Sequence, residues 1–274
     1  VRPRPGFWQG SARWYAGGLG ALALVALLAP WLAPQDPDQI DILRRFAPPG
    51  PGHWLGRDEL GRDVLSRMIW GTRVSLGVGV LAAVAVTALG ALLGAAAGYF
   101  GRWLDAVLMR LVDVLMSIPS IYLVLTLIVV LGPSLRNVII VIILTGWTGL
   151  ARMVRAEVLT VKERDFVRAA HASGAHPWSI LPKHVLPNVM APVYVALAFG
   201  VAGAILMESG LSFLGLGVQP PTASWGSMLN SGRGALDQAP WLVIVPGLAI
   251  FGVLLLVNGL AESARRHFDP RESL

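Results

Sequence analysis

Apolar and polar residues come in blocks along this chain. Six apolar blocks cover residues 14–33, 74–100, 114–132, 138–151, 189–211 and 239–261. A membrane strand would alternate polarity over about ten residues, whereas unbroken apolar runs of about 20 match a helix crossing the hydrocarbon layer. The pattern predicts an all-α, polytopic membrane protein with six transmembrane helices. The fourth block is short for a span, so its helix is expected to continue past Arg152 into water. Pro119, Pro192 and Pro246 fall inside blocks and predict kinks. The small residues from Gly90 to Gly98 predict close approach to a neighbouring helix.

Two polar interruptions are informative. The first, 34–73, opens with an irregular, proline-rich half containing Pro48, Pro49 and Pro51. From Asp58 to Trp70 its pattern turns helical. Leu60, Val64, Leu65, Met68 and Ile69 would form one apolar stripe, with Asp63 and Arg67 paired on the wet face. Such a helix would lie along the bilayer surface or across the mouths of neighbouring spans. The second interruption, 163–188, predicts a short amphipathic helix with Val161, Phe166, Val167, Ala170 and Ser173 on one face and Lys162, Arg164, Asp165 and Arg168 in solvent. Gly174 followed by Pro177 stops it, and Pro187 opens the next helix. The surface between them is rich in small side chains that another protein could approach closely.

Composition sharpens this reading. Hydrophobic residues make up 55% of the chain and charged residues only 14%, with a mean hydropathy of +0.64, which excludes an ordinary soluble domain. There is no cysteine, so disulfides, thiolate metal sites and a cysteine nucleophile are excluded. The net charge of +6 reflects basic loops between apolar blocks and implies membrane lipid as a partner, not nucleic acid. With both termini cytoplasmic, the inner segments carry 14 Lys/Arg and the outer ones eight, as the positive-inside rule asks. Arg2, Arg4 and Arg13 precede the first block, which reads as an uncleaved span.

Candidate chemistry is sparse. Lys162 and Lys183 are the only lysines, and neither closes a P-loop. His53, His171, His176, His184 and His267 form no metal-ligand spacing. Glu208, late in the fifth block and expected near the outer surface, has two readings. It is a gate or path residue, or a carboxylate that reaches the headgroup region or ties down a loop. Asp113 is expected to pair with Arg110, and Trp54, Trp225 and Trp241 to form an outer aromatic belt.

The order Ala169-Ala170, three residues, Gly174, nine residues, His184, then Leu186-Pro187 resembles the EAA loop of binding-protein-dependent ABC-transporter permeases. Arg168 stands where the general pattern has Glu, and His184 where it often has Ile; both departures are usual in the dipeptide/oligopeptide branch. HWLGRDELGRDVLSRMIWGTRVSL and ESGLSFLGLGVQPPTASWGSML are similar to two further segments of that branch. The resemblance implies a type I importer permease of the C-type, forming half of a translocation path in the cytoplasmic (inner) membrane of a prokaryote. It implies a homologous second permease, two ATPase subunits and an extracytoplasmic solute-binding protein as partners. ATP and magnesium would act on the ATPases, leaving this chain without cofactor or catalysis. Coupling would fall to Asp165, Arg168, Ala169, Ala170, Ser173, Gly174, His184, Leu186 and Pro187. The expected division is residues 1–73, holding the first span and outer segment, and 74–274, a five-helix core with its coupling loop at about 152–187. Peptide, nickel chelate, glutathione and oligosaccharide importers share this type. A stand-alone secondary transporter or channel would need charges at membrane depth, which the blocks mostly lack, and a membrane-bound enzyme would need a site constellation.

Overall fold

The computed structural model describes residues 11–268, with side chains to residue 266. Arg2, Arg4 and the side chain of His267 lie outside the described residues. Twelve helices follow in order among the described residues: α1 Ala12–Leu27, α2 Ala29–Leu32, α3 Val64–Phe100, α4 Arg102–Ser117, α5 Ser120–Leu131, α6 Leu135–Gly146, α7 Thr148–Val161, α8 Asp165–Ala172, α9 Pro177–Ile180, α10 Leu186–Phe213, α11 Trp225–Gly232 and α12 Trp241–Phe268. Four continuous segments are long and apolar enough to cross a membrane: 64–100, 135–161, 177–213 and 241–266. The α4–α5 pair passes the same length and hydropathy test only when its two bent helices are taken together, and the shorter apolar α1 is the remaining block.

The third block departs from its expected shape. α4 and α5 meet at 92°, so the block forms two helices joined at a sharp break rather than one kinked helix. Pro119 keeps Ile118 extended at φ −96°, ψ 127°, because a residue before proline is pushed out of the helical region. Pro192 and Pro246, by contrast, are carried inside α10 and α12. The fourth block does continue past Arg152, through α7 to Val161.

The surface helix expected over 58–70 does not form as a separate element. Asp63 is the N-cap of α3, accepting from the Ser66 amide at 2.8 Å, and the helix then runs 37 residues to Gly101. The expected division at residue 73 therefore falls inside α3. Asp63 and Arg67 are not a wet-face pair. Arg67 is buried and meets Asp38 at 3.3 Å and Asp58 at 3.5 Å, while Asp63 faces His53 at 3.3 Å. Arg57 and Arg62 are buried beside it, bonded to Asp41 and Asp58. The preceding segment is thus a compact ionic cap on the start of α3. Trp225 is no belt residue either: it is 1% exposed, its indole reaching the Met68 carbonyl at 3.4 Å.

α3 is the spine of the bundle. Its glycine face packs on α7 so closely that a Cβ on Gly94 would stand 2.3 Å from the Ala151 carbonyl, and one on Gly98 would stand 2.9 Å from that of Arg155. The predicted close approach over 90–98 is therefore the α3–α7 contact. α10 packs against α3 on another side, where Ile205 fills the space beside Gly79. Asp105 and Asp113 of α4 pair with Arg155 and Arg152 of α7. Asp113 thus takes a partner 39 residues away, not the expected Arg110.

Candidate coupling surface and the Glu208 cluster

The loop end of the bundle is built by α7, α8, α9 and the start of α10. α8 opens with Asp165, favourable beside the helix N-terminus. It closes on Gly174 at φ +80°, whose amide reaches the His171 carbonyl at 3.0 Å while the Ala175 amide reaches that of Ala170 at 3.1 Å. A left-handed glycine there satisfies the last helical carbonyls, as the Gly174–Pro177 spacing predicts. Pro177 then opens α9, and Leu181–Val185 forms a π-type turn that runs into α10. Pro182, inside that turn, has no amide to give the regular ladder. α9, the turn and α10 make one uninterrupted helical segment over 177–213.

Val167 and Ile180 are fully buried and join Val154, Val158 and Val161 of α7, Ala95 of α3 and Val189 and Val193 of α10 in one apolar cluster. Lys162 reaches the Gly98 carbonyl at 2.9 Å, and Trp178 packs on Phe100 with ring centroids 4.7 Å apart. The α8–α9 pair is therefore fastened to three spans. At 100° per residue, the open side of α8 carries Arg168, Ala172, Asp165, Ala169, Ser173 and Phe166, all exposed. Phe166 does not share the buried face with Val167, contrary to expectation. Ala170 is half-buried against the cluster, as is Leu186; His184 is half-exposed, and Gly174 and Pro187 lie open. Of the sequence-named residues, Asp165, Arg168, Ala169, Ser173 and Gly174 come together on one surface, while Ala170 and Leu186 help to anchor it. Sequence reasoning missed Ile180, Trp178 and Phe100. The apolar spacing of Val154, Val158 and Val161 toward Val167 was the available signal.

The opposite end holds Glu208. It lies five residues before the end of α10, and its side chain is fully buried within the protein, at 0% exposure. Ser212 donates to it at 2.7 Å, Ser209 at 3.4 Å and Ser75 of α3 at 3.5 Å. Close by is a cleft of about 960 Å³, lined by Pro30, residues 33–38, the Trp70–Leu81 face of α3, Leu135 and Ile139 of α6, and Thr222 and Ala223. Among the described residues no group of three His, Asp or Glu could hold a metal ion.

Residues 90–273 match the family described as binding-protein-dependent transport system inner membrane component. Residues 16–49 match the N-terminal transmembrane domain of oligopeptide transport permease C. A Brucella ovis protein named as a peptide permease is 42% identical over 93% of this chain and 85% of its own length. The dipeptide transport system permease protein DppC of Alkalihalophilus pseudofirmus is 38% identical over 90% of this chain and 82% of its own. Among solved structures, the inward-facing MetNI methionine ABC transporter aligns with a TM-score of 0.60 at 18% identity, covering 75% of this chain and 97% of that one. That likeness carries the fold. The family match over two thirds of the sequence, with relatives 42% and 38% identical, makes the chain a member of the binding-protein-dependent transport family of inner membrane components, a membrane-spanning subunit that is not itself an enzyme.

Proposed function

We propose that this chain is the C-type permease of an ATP-driven importer of dipeptides or oligopeptides, working with a second permease, two ATPases and an extracytoplasmic binding protein. The observation that carries the reading is the α8–α9 pair: an open surface of small side chains on one side and a buried fastening to three spans on the other. In this reading α8 is cytoplasmic and docks on an ATPase through Asp165, Arg168, Ala169, Ser173 and Gly174. Movement of the ATPases on binding ATP and magnesium passes through Val167 and Ile180 into α3, α7 and α10. The Asp105–Arg155 and Asp113–Arg152 pairs carry it on to the bent α4–α5 helices. ATP can shift the spans between two states only because the ATPases contact those states differently. Peptide specificity is supported by the names of relatives that cover nearly the whole chain.

The test is reconstitution of the complete complex in proteoliposomes. Peptide-loaded binding protein is expected to stimulate both ATP hydrolysis and peptide uptake. Stimulation by a loaded nickel-chelate or oligosaccharide binding protein, with none by a peptide-loaded one, would overturn the substrate class.

A further inference from the structure

Two hydroxyls beside Glu208 each do two things. Ser212 accepts the Val218 amide at 3.0 Å and Ser75 the Trp225 amide at 3.2 Å. Each hydroxyl has a single proton, and each turns it to Glu208. A carboxylate, which only accepts, suits donors of this kind. The backbone amides of one short segment are thus held through serine relays by one buried carboxylate. The same segment is pressed onto α10 by two glycines. A Cβ on Gly217 would stand 2.1 Å from the Ser212 hydroxyl, and one on Gly226 would stand 2.5 Å from the Ser209 Cα. Within this segment Thr222 and Ala223 line the 960 Å³ cleft.

We propose that Glu208 is a positioning residue that fixes the 217–227 segment as one wall of the cleft at the end of the bundle opposite α8. Glu208 is not among the residues lining the cleft; it acts through Ser75 and Ser212. The inference rests on the importer reading above, in which this end is extracytoplasmic and meets the loaded binding protein. Glu208→Gln preserves volume and keeps one acceptor oxygen but replaces the other with a donor amide, so the hydroxyls on that side lose their acceptor.

Two measurements on the assembled complex test the proposal. Amide hydrogen exchange over 214–229 reads the wall directly, and its protection is expected to fall about tenfold in Glu208→Gln. Uptake reads its use: the half-saturating concentration of peptide-loaded binding protein is expected to rise about tenfold, with maximal uptake per complex held within about twofold. A defect of folding alone would lower the maximum in step with the amount of complex. Glu208→Asp, which keeps an acceptor-only group, is expected to restore most of both. Should Glu208→Gln fail to assemble, Ser212→Ala decides, with the same direction and smaller size. Parental exchange over 214–229, or an unchanged half-saturating concentration, would overturn the proposal. Failure of the parental complex to take up peptide would count against the importer reading, while the exchange measurement would still decide the role of Glu208.

Discussion

At Gly174 the backbone turns through φ +80°, and no atom stands within 4 Å of where a Cβ would be. An added side chain there would strain only its own backbone, at about 1–2 kcal/mol for a non-glycine residue in the left-handed region. Gly94 has ordinary helical geometry but no room, with the Ala151 carbonyl 2.3 Å from its absent Cβ. Gly174→Ala is therefore expected to assemble normally and to lower uptake per ATP hydrolysed, because it disturbs the end of α8. Gly94→Ala should push α3 off α7 and lower the thermal stability of the complex, overpacking of this kind costing about 1–3 kcal/mol. Thermal denaturation of both variants beside their coupling ratios checks the pair. An unchanged coupling ratio in Gly174→Ala, or unchanged stability in Gly94→Ala, would contradict the assignment of one glycine to a turn and the other to a packed contact.

Among elements, α8 has two sides, and they separate experimentally. Val167 is fully buried in the cluster that fastens α8 to the spans, while Phe166, next to it, is 40% exposed. Val167→Ala deletes two buried methyl groups and is expected to cost about 2 kcal/mol, lowering both stability and uptake. Phe166→Ala should leave the stability of the isolated chain within about 0.5 kcal/mol and weaken its binding to the ATPase. A binding measurement between the purified permease and ATPase distinguishes them. Loss of stability in Phe166→Ala with unchanged ATPase binding would place that ring inside the chain.

The apolar blocks were legible because an unbroken hydrophobic run of about 20 residues fits little besides a membrane-crossing helix. The Gly174 turn was legible because glycine and proline punctuate locally. The expected 58–70 surface helix failed for a different reason. Its polar residues are not on a wet face. Arg67 is neutralised by Asp38, 29 positions earlier, and by Asp58, and periodicity carries no information about such distant pairs. Glu208 shows the same limit. The sequence showed a carboxylate late in an apolar block, but its partner Ser75 lies 133 positions away. Trp225, expected at a membrane interface, is buried for the same cause: α3 and α10 close over it.

For the whole molecule, sidedness is the decisive expectation. Gln39 belongs to the ionic cap before α3, and His176 stands between α8 and α9, at the other end of α3. Both are exposed, and the chain has no cysteine, so single-cysteine variants report without background from this subunit. Gln39→Cys is expected to react with an impermeant maleimide from outside the cell, and His176→Cys only after the membrane is opened. Reaction of both from one face would contradict a bundle that α3 crosses once.

The unbroken segment over 177–213 has a mechanical corollary. At 1.5 Å per residue it is about 55 Å long, and Glu208 sits about 46 Å from its start at Pro177. If that segment behaves as a stiff rod pivoting near α8, a tilt of about 4° sweeps Glu208 through roughly 3 Å. Hydrogen bonds lose most of their strength over far smaller displacements. The serine ring must then ride with α10 as a unit or open at its longest bond, the 3.5 Å contact from Ser75 on α3. Angular motion at one face of the membrane would thus arrive at the other as the making and breaking of a single hydroxyl contact.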